Sequence, residues 1–158
     1  MKILVVGGVG YIGSHMLKRF KETNYEIEIL DNLSSGQKEN AQNYKLYVCD
    51  LLDKQTVYKI LSEQNYDLVM HFAASINVEE SYKNPKKYQQ NNVINTINLL
   101  ECMNDLKINK FIFSSSAAVY GEPEHIPVTE LHPFNPVNPY GDTKAEVENA
   151  LKSYEESC

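Results

Sequence analysis

Residues 3–13, Ile-Leu-Val-Val-Gly-Gly-Val-Gly-Tyr-Ile-Gly, constrain the fold more than any other stretch of the chain. Four apolar, partly β-branched residues, Ile3 to Val6, read as a strand buried on both faces, the pattern of a parallel sheet covered by helices. Gly7, Gly10 and Gly13 follow at three-residue spacing, and an amphipathic helical pattern begins directly after them. Strand, tight turn and helix start are therefore consecutive. In such a unit Gly7 permits the sharp turn, Gly10 lets backbone N–H groups approach a pyrophosphate, and Gly13 lets the helix pack closely on the sheet. The helix N-terminus adds unpaired amides and its dipole, which suits an anion. Ordinary turns also collect glycine, but the placement between first strand and first helix favours dinucleotide binding.

A chain of 158 residues, 42% of them hydrophobic, is enough for one globular domain with a real core, and no internal repeat or low-complexity run divides it. The net charge of −6 and the scattered Lys and Arg offer no basic patch, which argues against nucleic acid or an anionic membrane as partner. Cys49, Cys102 and Cys158 are odd in number and lack metal-ligand spacing, so they read as thiols in a reducing compartment and no metal is expected. The N-terminal apolar run is too short for a signal peptide and no segment reaches membrane-spanning length, so a cytoplasmic location is expected.

Taken in order, the pattern predicts a doubly wound α/β chain of the Rossmann type. The first helix carries Ile12, Met16, Leu17 and Phe20 on its inner face and ends near Asn24. A second strand over 26–30 ends in Asp31, close to where such folds set an acidic residue against the adenosine ribose. A carboxylate there accepts hydrogen bonds from both ribose hydroxyls and repels a 2′-phosphate, favouring NAD over NADP; the alternative is a cap for the turn Asn32-Leu33-Ser34-Ser35-Gly36. A third strand over 45–49 runs into Asp50 and Leu51, which are candidates for the adenine edge, with a helix N-cap by Asp50 or Asp53 as the alternative. Val57, Ile60 and Leu61 give the next helix its buried face. A fourth strand over 67–72 leads into Ala73 and Ala74, small enough for phosphates to lie against backbone, and His71 within it reads as a core group.

Pro85 is predicted to start one long helix bearing Tyr88, Val93, Ile97, Leu100 and Met103 and interrupted by Asn91, Asn92, Asn95 and Asn98. Asparagines are poor helix formers, so either they have tertiary work or they form a solvated face. A fifth strand over 110–113 ends in three serines; at the carboxyl end of a central strand the Ser116 hydroxyl faces chemistry, or else it belongs to a polar turn. Residues 121–139 read as a long ordered loop. Pro139 and Tyr140 start the last helix, with Val147, Ala150 or Leu151, and Tyr154 inward.

Tyr140 and Lys144 are four apart, hence on one helical face. A neighbouring ammonium favours the phenolate form of a tyrosine, which suits it to general-base work. With eleven tyrosines in the chain, about one such pair is expected by chance, and Tyr82 with Lys86 is a second. Pro85 interrupts that one, since the residue before proline avoids helical geometry. Tyr140 has a strand-end serine upstream and a dinucleotide fold around it.

The runs Gly-Gly-Val-Gly-Tyr-Ile-Gly-Ser-His (7–15), Asp-Asn-Leu-Ser (31–34), His-Phe-Ala-Ala (71–74), Phe-Ser-Ser-Ser-Ala-Ala-Val-Tyr-Gly-Glu-Pro (113–123) and Asn-Pro-Tyr-Gly-Asp-Thr-Lys (138–144) together resemble the UDP-glucose 4-epimerases of the extended short-chain dehydrogenase/reductase family. The resemblance covers the whole chain. It implies a permanently held NAD and reversible oxidation of a UDP-hexose at C4. In that scheme Tyr140 takes the proton of the 4-hydroxyl while hydride moves to the nicotinamide, and the 4-keto sugar turns over and is reduced on its other face. Ser116 hydrogen-bonds the reacting oxygen, and Lys144 holds the nicotinamide ribose and tunes Tyr140. The family's cofactor contacts fall on Gly7, Gly10, Tyr11, Ile12 and Gly13, on Asp31, Asn32, Leu33, Ser34, Ser35 and Gly36, and on Asp50 and Leu51. They continue at Phe72, Ala73, Ala74, Ser75, Ile76 and Asn91, and at Tyr140 and Lys144 themselves.

Two positions depart from the common pattern: Ile76 stands where many epimerases carry a lysine, and Ala74 replaces the second glycine of His-Phe-Ala-Gly. Such variants occur in epimerases of broader range, which admits N-acetylated UDP-sugars beside UDP-glucose and UDP-galactose. Family members continue through further strands and a carboxyl-terminal lobe that binds UDP, so the chain is expected to be an incomplete Rossmann domain, with cofactor binding weakened or lost and no turnover by itself. The resemblance also implies a homodimer through the helices starting near Pro85 and Tyr140. The competing readings are a sugar-nucleotide dehydratase or decarboxylase, and a non-enzymatic NAD-binding module. Dehydratases of this kind carry an acid pair where this chain has Ser115 and Ser116.

Overall fold

The computed structural model describes residues 1–157; Cys158, one of the three thiols, lies outside the described residues. The chain forms two compact units, Met1–Ala74 with Asn98–Ser114, and Ser75–Ile97 with the chain from Ser115 onward.

The first unit is built on β1 (Lys2–Val6), β2 (Glu26–Asp31), β3 (Lys45–Val48), β4 (Leu68–His71) and β5 (Phe111–Phe113), all parallel in the order β3-β2-β1-β4-β5. This is the doubly wound Rossmann arrangement the hydrophobic runs predict. Strand β1 is central and its Leu4, Val5 and Val6 are fully buried, as a strand covered on both faces requires. Helix α1 (Tyr11–Phe20) packs Leu17 and Phe20 into a core with Ile3, Val5, Val9, Ile27, Ile29 and Met70. Helix α2 (Lys54–Ser62) buries Val57, Ile60 and Leu61, and Asp53 is its N-cap, accepting from the Thr56 amide at 3.1 Å.

Helix α1 corrects the expected face. It starts at Tyr11, so Gly13 lies in its first turn, and Gly13, Ser14, Leu17 and Phe20 form the buried stripe. Ile12 stands one residue off that stripe and is 56% exposed, and the helix ends at Phe20, short of Asn24. His71 is buried and lies beside the Phe111 and Phe113 rings, with centroids 6.0 and 5.9 Å away, the core group its setting predicts.

The second unit holds α3 (Val78–Lys83), which the periodicity did not reveal, and α4 (Pro85–Tyr88), followed by a π-helical turn over Gln89–Ile94. Helix α5 (Asn95–Asp105) then carries the chain into the first unit, where Leu99, Leu100, Cys102 and Met103 are buried. The single helix expected from Pro85 is thus two α-helical pieces joined by a wide turn. Residues 122–138 form an irregular loop, and α6 (Pro139–Ser157) closes the unit with Val147 buried and Ala150, Leu151 and Tyr154 half-buried. No helix among the described residues is long and apolar enough to cross a membrane.

The alternating acidic residues of β2 do not all face water. Glu28 is 6% exposed and is the hub of a polar cluster. Its carboxylate accepts from the hydroxyls of Tyr66 at 2.5 Å and Tyr47 at 2.9 Å, and pairs with Lys2 at 3.1 Å. Burial opposes its charge, but the bonds from Tyr66, Lys2 and Tyr47 outweigh burial and hold the carboxyl below the usual glutamate range. A lowered folded-state pKa means stability that is full above the unfolded value of 4.5 and is lost as pH falls through the folded value. Glu28→Gln is expected to cost about 3 kcal/mol at pH 7. Urea melts from pH 7 to pH 3 should show this gap closing on the acid side.

Candidate functional site

In the first unit, the turn after β1 is shaped by contact rather than by hydrogen bonding alone. Gly7 has φ +76°, and a Cβ there would lie 2.4 Å from the Ala73 amide nitrogen after β4. At Gly13 a Cβ would stand 2.3 Å from the Gly7 carbonyl oxygen, so only glycine lets α1 sit this close to the turn. Gly10 differs: a Cβ on it would meet nothing nearer than the Gly7 oxygen at 3.4 Å. It is the N-cap of α1 without a side-chain cap, so the first-turn amides face an open approach. Tyr11 and Ile12, both exposed, flank that approach. The crevice lies where β1 and β4 adjoin and the strand order reverses, with Phe72, Ala73 and Ala74 half-buried on its β4 side.

Asp31 ends β2 beside it. One carboxylate oxygen accepts from the Val9 amide at 3.1 Å and the other from the Leu33 amide at 2.9 Å, so the cap alternative is geometrically real. Each oxygen keeps a second lone pair, and capping leaves acceptor capacity for a ligand. Leu33 has φ +59°, and the loop is stitched onward by Asn32, whose side-chain amide donates to Asp50 at 2.7 Å and whose oxygen accepts from the Ser34 amide at 3.0 Å. Gly36 packs on Val9, whose carbonyl accepts from Gln37. Ser35 is exposed, Asp50 is exposed and Leu51 is buried, its carbonyl accepting from the Asn98 side chain at 3.3 Å. The residues expected around an adenosine are therefore joined in one hydrogen-bonded loop system.

In the second unit, Tyr140 and Lys144 share the first turns of α6. Tyr140 is half-buried and Lys144 is 3% exposed. Burial pulls the Lys144 ammonium down to about 8, against Glu148, whose negative charge pulls it up. The short 3₁₀ turn Ala117–Tyr120 packs on α6, and Ser116 caps it by accepting from the Ala118 amide at 3.2 Å. Its hydroxyl proton stays available for donation. The Tyr82 and Lys86 pair is split between α3 and α4 at Asn84, and Tyr82 is committed to the Val137 carbonyl at 2.8 Å.

The asparagines carry tertiary work. Buried Asn92 accepts from the Ser75 amide at 2.8 Å and donates to the Ser75 carbonyl at 2.9 Å and to the Thr143 hydroxyl at 3.1 Å. Asn91 donates to the Ser75 hydroxyl at 3.2 Å. Both lie in the π-helical turn, and they reach different groups of Ser75: Asn91 its hydroxyl, Asn92 its backbone amide and carbonyl. Ile76, next in chain, is 70% exposed. Asn92, Thr143 and Glu148 are the neighbours of the catalytic candidates that sequence reading missed. Only the density of asparagines pointed toward the first of them.

A family model described as GDP-mannose 4,6 dehydratase matches residues 4–158. The chain belongs to this family. Among its curated relatives, the UDP-glucose 4-epimerase of Lactobacillus helveticus is 45% identical over 152 residues, 96% of this chain and 46% of that protein. The solved UDP-Glc/GlcNAc 4-epimerase of Campylobacter jejuni superposes with a TM-score of 0.94 at 46% identity, over 99% of this chain and 49% of its own. The UDP-glucose 4-epimerase of Brucella ovis, solved in complex with NAD, gives 0.94 at 39% identity over 97% of this chain and 47% of its own. The chain spans about half the length of the curated relatives it matches.

A lowered lysine pKa makes the buried ammonium a cost to folding below about pH 8, which fades as pH rises toward the ordinary 10.5. Lys144→Met is expected to raise stability at pH 7 by up to about 3 kcal/mol. Denaturant melts of both proteins should converge between pH 8 and 10.5.

Proposed function

We propose that this chain carries the NAD site and the Ser–Tyr–Lys group of a UDP-sugar 4-epimerase within the family. The observation that carries this reading is the placement of Tyr140 beside a buried lysine on α6, with the Ser116-capped turn packed on the same helix. The first unit suits NAD on its own evidence: the open approach at Gly10, the amides of α1, and the spare lone pairs of Asp31, whose charge repels a 2′-phosphate. NAD, when bound, supplies reversible acceptance of the hydride at C4.

The residues then divide the proton work. Tyr140 takes the proton of the sugar 4-hydroxyl as C4 is oxidised and returns it to the same oxygen when C4 is reduced on the opposite face. Ser116 already accepts from backbone, so its proton is directed to the reacting oxygen. Lys144 brings positive charge to the pair and a donor for the nicotinamide ribose. UDP-glucose and UDP-galactose are the proposed substrates, with N-acetylated forms admitted by Ile76 and Ala74; the Campylobacter jejuni relative is named for both classes. A homodimer through the helices near Pro85 and Tyr140 belongs to the same reading, as does the smaller weight of a dehydratase, given serines rather than acids at 115 and 116.

In the whole protein that contains this chain, denaturing release of bound nucleotide, read by mass spectrometry, should yield NAD; whole protein that stays empty after incubation with NAD overturns the cofactor site. In the whole protein that contains this chain, Tyr140→Phe should cut UDP-galactose turnover by about 10²- to 10⁴-fold. NAD recovered with no exchange at C4 would select the binding-module reading instead.

A further inference from the structure

The second unit contains a carboxylate that the proposed chemistry does not use. Glu148 lies one helical turn beyond Lys144 on α6, so the two side chains share a face. It is half-buried, and one of its oxygens accepts a hydrogen bond from the hydroxyl of Ser115, the residue directly before Ser116. One acid is therefore tied to two of the three groups assigned chemistry: to Lys144 by charge and to Ser116 through its neighbour.

We propose that Glu148 is a positioning residue, serving at once as the counter-charge of the Lys144 ammonium and as the anchor that fastens Ser115, and with it Ser116, to α6. This rests on the reading of Tyr140, Lys144 and Ser116 as the reacting group. The geometry gives the physical reason. A buried ammonium is costly unless a charge of opposite sign lies within reach, and Glu148 is the group whose charge raises the pKa of Lys144 against burial. The acidic side chains of α3, which packs against α6, have their own partners. On α3, Glu80 pairs with Lys87 at 2.6 Å and with the Tyr88 hydroxyl at 3.1 Å, and Glu79 pairs with Lys83. On α6 itself, Glu146 is exposed and accepts from Gln89 at 3.0 Å. On α4, burial together with the bond to Glu80 pushes the Tyr88 hydroxyl pKa up, so it stays neutral.

The test is the titration of Lys144 by NMR of its ε-methylene in the full chain, a readout that does not depend on turnover. Glu148→Gln keeps size and an acceptor for Ser115 but removes the charge, and should lower the Lys144 midpoint by about one pH unit. Glu148→Asp should restore part of that shift, and Glu146→Gln on the same helix should leave the midpoint where it is. An unchanged midpoint in folded Glu148→Gln, or an equal fall in Glu146→Gln, overturns the proposal. If Glu148→Gln shifts the midpoint as expected while the whole protein shows no sugar chemistry, Glu148 stands as the counter-charge of Lys144 and the functional reading fails.

Discussion

The approach of α1 to the turn after β1 governs the first unit. With the Gly7 oxygen 2.3 Å from where a Cβ of Gly13 would be, helix and strand touch through backbone alone. That contact fixes where the first-turn amides point, and Val9, held between the turn and the loop after β2, extends the arrangement to Asp31 and Gly36. A side chain at Gly13 would move the helix, and the amides and the β2 loop with it, while one at Gly7 would run into the Ala73 backbone after β4. The proposed nucleotide cradle is thus a packing result first.

The second unit solves a different problem, that of keeping a cation and hydroxyls in register where water is scarce. Its answer is a set of short polar ties among Ser75, Asn92, Thr143 and Tyr140, the last receiving the Thr143 hydroxyl on its carbonyl at 2.7 Å. Each tie satisfies a group that burial would otherwise leave costly. Lys144 follows Thr143 directly, so the position of its backbone is set by a neighbour whose side chain is fully engaged.

Sequence patterning reads well where one force dominates. Apolar β-branched runs identified five strands to within a residue or two, because a strand covered on both faces admits little else. The glycines lie in the turn after β1 and the start of α1, Asp31 ends β2, and Tyr140 and Lys144 share α6, each at the element the spacing points to. What escaped was decided by tertiary context: Ile12 is exposed because it stands one residue off the stripe of α1 that packs on the sheet, and Glu28 is buried because Tyr47, Tyr66 and Lys2 converge on it from elsewhere in the chain. The short α3 has too few residues to show a period, although Asn77 caps it by accepting from the Glu80 amide. The division at Pro85 was visible in local chemistry, but the wide turn after Tyr88 was not.

That wide turn over Gln89–Ile94 holds one residue more than a regular helix would need. Loss of a single residue there would return the segment to ordinary helical winding, locally the easier conformation, while turning Asn91 or Asn92 away from Ser75. Evolution by deletion therefore meets a barrier at this place: the shorter helix would be the better helix and the poorer clamp. Tolerance of length change should be low here for that reason.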